Sequence, residues 1–147
     1  MDGLDYVTLG GFAATVVSIA LSMWLVRAEL QEQVVLEYTG RYQRILGDLP
    51  YAALESDFDV GILKSSAEWE STLKVIHQYF DLCSEEIKLE RRHRVPSEVW
   101  RDWEEGIVAA MKGSLCHAAW REARFTGGYT TLRDFLITRG VHVDALG

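Results

Sequence analysis

The longest apolar stretch of the chain covers residues 7–26, reads VTLGGFAATVVSIALSMWLV and holds no charged side chain. At a helical rise of about 1.5 Å per residue it spans roughly 30 Å, the hydrocarbon thickness of a bilayer. Tyr6 and Trp24 lie near its two ends, where aromatic side chains favour the headgroup level, and Arg27 follows within reach of lipid phosphates. The pattern predicts a transmembrane helix over about residues 7–26, with Tyr6, Trp24 and Arg27 at the membrane interface.

Two other structures are compatible with an apolar run near the start of a chain. A cleaved signal peptide has a basic start and a shorter apolar core, whereas this chain starts with Asp2 and Asp5. A buried helix of a water-soluble core usually carries some polar residue over such a length. Both alternatives are disfavoured, and both stay open.

Beyond Arg27 the pattern becomes amphipathic. Apolar residues recur every three or four positions at Leu30, Val34, Tyr38, Tyr42 and Ile45. Gly47 and Pro50 then interrupt the helical pattern. We expect one helix from about residue 5 to 46 that leaves the bilayer as a stalk, a connector over residues 47–64, and a cytoplasmic helical domain over residues 65–147.

The remaining chain predicts several shorter helices and no strand. Ser65 to Glu68 has the spacing of a capping box, Ser97 has the character of an N-cap, and Gly140 is a helix terminator. The inward faces are predicted to carry Trp69, Leu73, Ile76, Phe80, Cys83 and Ile87; Val99, Trp100, Trp103, Ile107 and Met111; Leu115, Ala119, Trp120 and Ala123; and Leu132, Phe135 and Leu136. The fold class is therefore all-α, a small helical bundle on a membrane helix.

Charge indicates orientation and excludes one class of partner. The part beyond residue 26 carries all 15 Lys and Arg against 20 of the 22 Asp and Glu. Since basic residues accumulate on the cytoplasmic side, we expect the N-terminus outside and the helical domain in the cytoplasm. The acidic balance of that domain disfavours nucleic acid as a partner. Two cysteines, Cys83 and Cys116, make no disulfide framework and fit a reducing compartment.

Two sets of residues are candidates for interaction. Small residues recur every four positions in the apolar run and predict a face for helix packing in the membrane: Gly10, Ala14, Ser18 and Ser22. A basic cluster follows the predicted helix that carries Trp69 to Ile87. It indicates either a docking patch or lipid contact, or a solvated helix end with local ion pairs to Glu85, Glu86 and Glu90: Arg91, Arg92 and Arg94.

No catalytic, cofactor-binding or metal-binding residue is predicted. Cys83 and His77 lie six positions apart on one helix, about 9 Å along its axis, so they cannot hydrogen-bond directly. Cys116 and His117 are adjacent and face different directions on a helix, which makes a poor metal pair. We therefore expect a protein that is not an enzyme.

Several segments resemble a bacterial family of unknown function. They are YFDLCSEE at residues 79–86, VWRDWEEGI at residues 99–107, Trp120, and LRDF at residues 132–135. The family consists of small proteins with one N-terminal span and a cytoplasmic helical domain, and the resemblance implies the inner membrane. The layout is also similar to small membrane accessory proteins of RNA-targeting CRISPR systems, although the Arg and His signature of their ribonuclease-like members is absent here.

These features lead to two functional expectations. The first is a membrane-anchored accessory or adaptor subunit whose span and helical domain pack against other transmembrane subunits. The second is a self-assembling membrane effector of a bacterial defence system, in which copies of the chain form a ring or pore. Membrane lipid is a partner in both.

Overall fold

The computed structural model describes residues 3–54, 59–123 and 128–142, and the side chains of the first helix from Ala14 onward. These residues form helices and no strand, which confirms the all-α fold class. The helices are α1 (Gly3–Asp48), a 3₁₀ turn (Tyr51–Leu54), α2 (Val60–Lys64), α3 (Trp69–Arg91), α4 (Ser97–Met111), α5 (Ser114–Ala123) and α6 (Thr130–Thr138). Within the described residues, none of these helices combines the length and the apolar character that crossing a membrane requires.

The long helix α1 has two different surroundings along its length. Its side chains are exposed from Ala14 to Leu30. From there on α1 packs against the bundle, with Ile45 buried and with Val34 and Tyr38 against the core. The segment that the sequence predicts as a stalk is thus also the first helix of the bundle. The predicted helix over residues 5–46 is confirmed and extends slightly at both ends.

The core of the bundle is built around α3, which packs against α1, α5 and α6. Phe80, Leu82 and Cys83 are fully buried. The Phe80 ring meets the rings of Trp120 and Tyr129 edge-on, with centroids 5.4 Å apart in each pair. Each large apolar side chain buried in this way stabilises the fold by about 1.5–3 kcal/mol. The predicted inward face of α3 is confirmed, with Trp69 and Leu73 only partly buried.

The predicted capping box before α3 is wrong. The Ser65 hydroxyl donates back to the Gly61 carbonyl, because Ser65 ends α2. The α3 helix starts at Trp69 with no side-chain cap, and the Ser66 hydroxyl accepts from the Glu68 amide in a local turn. The five-residue helix α2, inside the predicted connector, therefore ends at Ser65, which sequence spacing assigns to the start of α3.

Two other predicted helix ends have different outcomes. Ser97 is the first residue of α4 and Pro96 is its cap, with the Pro96 carbonyl accepting from the Trp100 amide, so the predicted N-cap is wrong by one position. The Gly140 prediction is confirmed. This residue takes φ +71° after α6, a conformation that glycine adopts without steric penalty.

Candidate membrane-interface site

The loop after α3 lies against α1 close to the end of the apolar run. The carbonyl oxygen of His93 accepts from Arg27 Nη2 at 3.4 Å and from Gln31 Nε2 at 3.3 Å. These partners are more than 60 positions away in the sequence. The contact brings the predicted docking patch beside the predicted membrane-interface residue Arg27, which sequence spacing alone does not indicate.

The shape of this loop follows from the way α3 ends. His93 adopts a left-handed backbone with φ 54°, the Arg94 amide donates to the Leu89 carbonyl at 2.9 Å, and the His93 amide donates to Glu90 at 2.7 Å. This pair of bonds is a Schellman motif, whose left-handed position is usually a glycine. The turn reverses the chain and leaves the side chains of Arg92 and Arg94 exposed.

We call Arg27, Arg91, Arg92 and Arg94 the basic collar. All four side chains are exposed. None of them pairs with a carboxylate among the described residues, in contrast to Arg41, which binds Glu85 at 2.6 Å. Of the predicted alternative, the solvated helix end agrees with this exposure, whereas the local ion pairs with the acidic residues of α3 are not formed among the described residues. The guanidinium groups of Arg91, Arg92 and Arg94 are therefore available to external anions, while that of Arg27 also donates to the His93 carbonyl.

A groove of about 700 Å³ runs between α1 and the loop. Its α1 wall carries the apolar side chains of Met23, Val26 and Leu30, and its opposite side carries Arg92 and Arg94. Apolar wall and cationic rim together match a molecule with an alkyl part and an anionic head. Arginine suits a phosphate head in particular, because its planar guanidinium donates two parallel hydrogen bonds.

The predicted small-residue face lies next to this groove on the exposed half of α1. The Ser18 hydroxyl donates to the Ala14 carbonyl at 2.9 Å, and the Ser22 hydroxyl donates to the Ser18 carbonyl at 2.8 Å. Both serine hydroxyls therefore have hydrogen-bond partners within α1, and this face of the helix carries only short side chains. The side chain of Tyr6 and the surroundings of Gly10 lie outside the described part of the chain. Trp24 is 64% exposed.

The two cysteines are held in their protonated form. Burial raises the pKa of Cys83 well above its ordinary value, and burial raises the pKa of Cys116 to about 12. A thiol nucleophile reacts as the thiolate, and neither residue is poised to provide one at neutral pH. In the described part of the chain, no group of three or more His, Cys, Asp and Glu is arranged to hold a metal ion.

Comparison of the chain with known protein families, with curated proteins and with solved structures finds no significant match.

Proposed function

We propose that this chain is a membrane-anchored accessory or adaptor subunit that is not an enzyme. Its N-terminal helix would cross the bilayer over residues 7–26 and pack there against other transmembrane helices. The uncharged sequence of this segment supports the proposal, together with the exposure of its apolar side chains from Val16 onward. A row of exposed apolar residues of this length needs an apolar environment.

The observation that carries the proposal is the position of the basic collar. The exposed guanidinium groups of Arg92 and Arg94 lie across a groove from Val26, where the uncharged run ends. A bilayer that surrounds the run would place its phosphates at this level. Polybasic groups next to a span attract anionic lipid at about 1 kcal/mol per residue. The collar therefore fits the cytoplasmic headgroup layer, which agrees with the expected orientation and with the inner membrane as location.

Lipid retention tests the role of the collar. The full chain, purified in a maltoside detergent, is examined by native mass spectrometry after addition of phosphatidylglycerol. We expect the parent protein to retain this lipid and the variant Arg92→Ala/Arg94→Ala to lose most of it. The matched control is Arg44→Ala/Arg121→Ala, which removes two exposed arginines. Arg44 lies about 25 Å along α1 from Arg27, and Arg121 is next to Glu122, which binds Trp69 at the opposite end of α3 from the collar. Equal retention by both variants would contradict the proposal.

Orientation is tested with reporter fusions. A reporter that fluoresces only in the cytoplasm, fused after Gly147, is expected to be bright. A dark fusion combined with an active periplasmic reporter at the same position would reverse the assignment.

Packing within the membrane is tested by adding bulk to the small-residue face. Gly10→Leu and Ala14→Leu keep the segment apolar, so insertion is expected to survive while close approach of a neighbouring helix is lost. Val16→Leu, on another face, is the control. Equal recovery of associated chains with all three variants would show that the segment is only an anchor.

The composition of the purified particle separates the two functional expectations. Different chains that co-purify in mild detergent favour the adaptor. A particle made of copies of this chain alone would favour the self-assembling defence effector.

A further inference from the structure

A second pocket lies on the opposite side of the bundle's first helix, between α1, α3 and α4, with a volume of about 310 Å³. Its walls carry four aromatic side chains and two carboxylates: Tyr38, Tyr42, Tyr79, Trp103, Glu86 and Asp102. The volume lies at the small end of the range of about 300–1,000 Å³ for ligand pockets. The site therefore suits a small molecule.

Glu86 is the unusual group in this pocket. It is only 6% exposed, lines the pocket, and accepts no hydrogen bond from any described residue. Its neighbour Glu85 has two partners, Arg41 and Tyr38, which donate to Oε2 at 2.6 and 2.9 Å. Buried polar groups in proteins are nearly always hydrogen-bonded or paired. The Glu86 oxygens are not among the fully buried atoms that lack a partner, so they open into the pocket, where a cationic ligand can pair with them.

The aromatic walls indicate the charge of that ligand. The rings of Tyr38 and Trp103 have centroids 6.0 Å apart, and the rings of Tyr42 and Tyr79 have centroids 6.3 Å apart. Aromatic faces carry negative electrostatic potential and attract cations, and groups of such rings bind quaternary ammonium ions. The nearby cation Arg41 is already engaged with Glu85 and with the Tyr38 ring, 4.9 Å from its guanidinium carbon.

From this geometry we propose that the pocket binds a small organic ammonium ion, held by the aromatic walls and by the Glu86 carboxylate. The ion would come from solution and not from a lipid headgroup. Tyr38 lies 12 positions beyond the end of the apolar run, which is about 18 Å along the helix axis. This distance is too long for a lipid that stays in the bilayer.

Calorimetric titration at pH 8 tests the proposal on the full chain. The protein is purified in a maltoside detergent, because detergents with choline heads would compete. The ligands are choline, tetramethylammonium and the neutral tert-butyl isostere of choline, which has the same shape without the charge. We expect the two cations to bind and the isostere to bind at least about tenfold more weakly, a factor that corresponds to about 1.4 kcal/mol. No binding of either cation, or equal binding of the isostere, would overturn the proposal.

Two variants connect the binding to the pocket. Glu86→Gln keeps the shape of the side chain and removes its charge, and Trp103→Leu keeps an apolar wall and removes the aromatic face. Each is expected to lower the affinity for choline by about tenfold. The matched control is Glu105→Gln, an equal charge change at an exposed position of α4, which is expected to bind like the parent. Helical content measured by circular dichroism shows that each variant is folded. Unchanged affinity in Glu86→Gln would refute the role of this pocket.

Discussion

The ionisation of Glu86 is expected to make the stability of this protein depend on pH. Burial raises the pKa of the Glu86 carboxyl from 4.5 to about 7; the Arg41 guanidinium acts against this and the Glu85 carboxylate adds to it. The other titratable groups around it come from all three helices of the pocket: Tyr38, Tyr42, Tyr79, Cys83 and Asp102. Tyr38, Tyr79 and Cys83 stay protonated in this range, because their pKa values are raised above their ordinary values.

The sign of the effect follows from where the proton is bound. Below pH 4.5 Glu86 is protonated in the folded and in the unfolded chain, so it has no effect on stability. Between pH 4.5 and 7 the unfolded chain releases the proton while the folded chain retains it, and the free energy of unfolding falls as pH rises. Since each pKa unit corresponds to about 1.4 kcal/mol, the loss across this range is about 3 kcal/mol. Above pH 7 the loss is constant.

The variant Glu86→Gln cannot ionise and is expected to escape this loss. Thermal unfolding of the full chain in detergent, followed by circular dichroism at pH 4.5, 6 and 8, measures the difference in stability between the variant and the parent. We expect the variant to match the parent near pH 4.5 and to exceed it by about 3 kcal/mol at pH 8. Glu105→Gln, at an exposed position, should follow the parent at every pH. A variant with the parent's full pH dependence would refute the assignment of the titration to Glu86.

Three further substitutions test the packing and the backbone. Ile76→Ala, at a side chain that is 3% exposed, should lower the free energy of unfolding by about 2–5 kcal/mol; an unchanged melting curve would mean that this face of α3 is not core. His93→Gly should raise the free energy of unfolding by about 1 kcal/mol, because glycine adopts the left-handed backbone without penalty. A lower melting temperature would contradict the strain at this turn. Gly140→Ala, at φ +71°, should lower the free energy of unfolding by about 1 kcal/mol in the same denaturation assay, and no change would refute the requirement for glycine.

Much of the fold could be predicted because its signals are local. The apolar face of α3 repeats every three to four positions from Ile76 to Ile87, and such periodicity arises from the helix itself. The long α1 could be predicted in the same way, and Gly140 ends α6 because the left-handed backbone favours glycine. Two of the predictions that failed lie at helix starts, Ser65 and Ser97. A serine hydroxyl can bond to several nearby backbone groups, and Ser65 donates to the Gly61 carbonyl at the end of α2.

For Glu86, helical spacing and residue type predict opposite positions, one buried and one exposed. It lies three positions after Cys83 and seven after Tyr79, which are both buried, so helical spacing places it on the inward face. Its charge predicts a surface position, so from the sequence alone Glu86 is assigned, with Glu85 and Glu90, to the solvated end of α3. Burial of one glutamate among three depends on the rotation of α3 against α1 and α4, and that rotation is set by the packing of all three helices.

The sequence by itself determined the helical class, the uncharged run over residues 7–26 and the acidic balance of the remaining chain, because composition and short-range spacing carry these properties. Only the tertiary structure decided that Arg27 meets the loop at His93, that Glu85 pairs with Arg41, and that aromatic rings surround Glu86. The physical reason is sequence separation. Arg27 meets His93 over 66 positions and Arg41 meets Glu85 over 44, while Trp103 comes to Glu86 from another helix. No local periodicity specifies which faces of two helices meet.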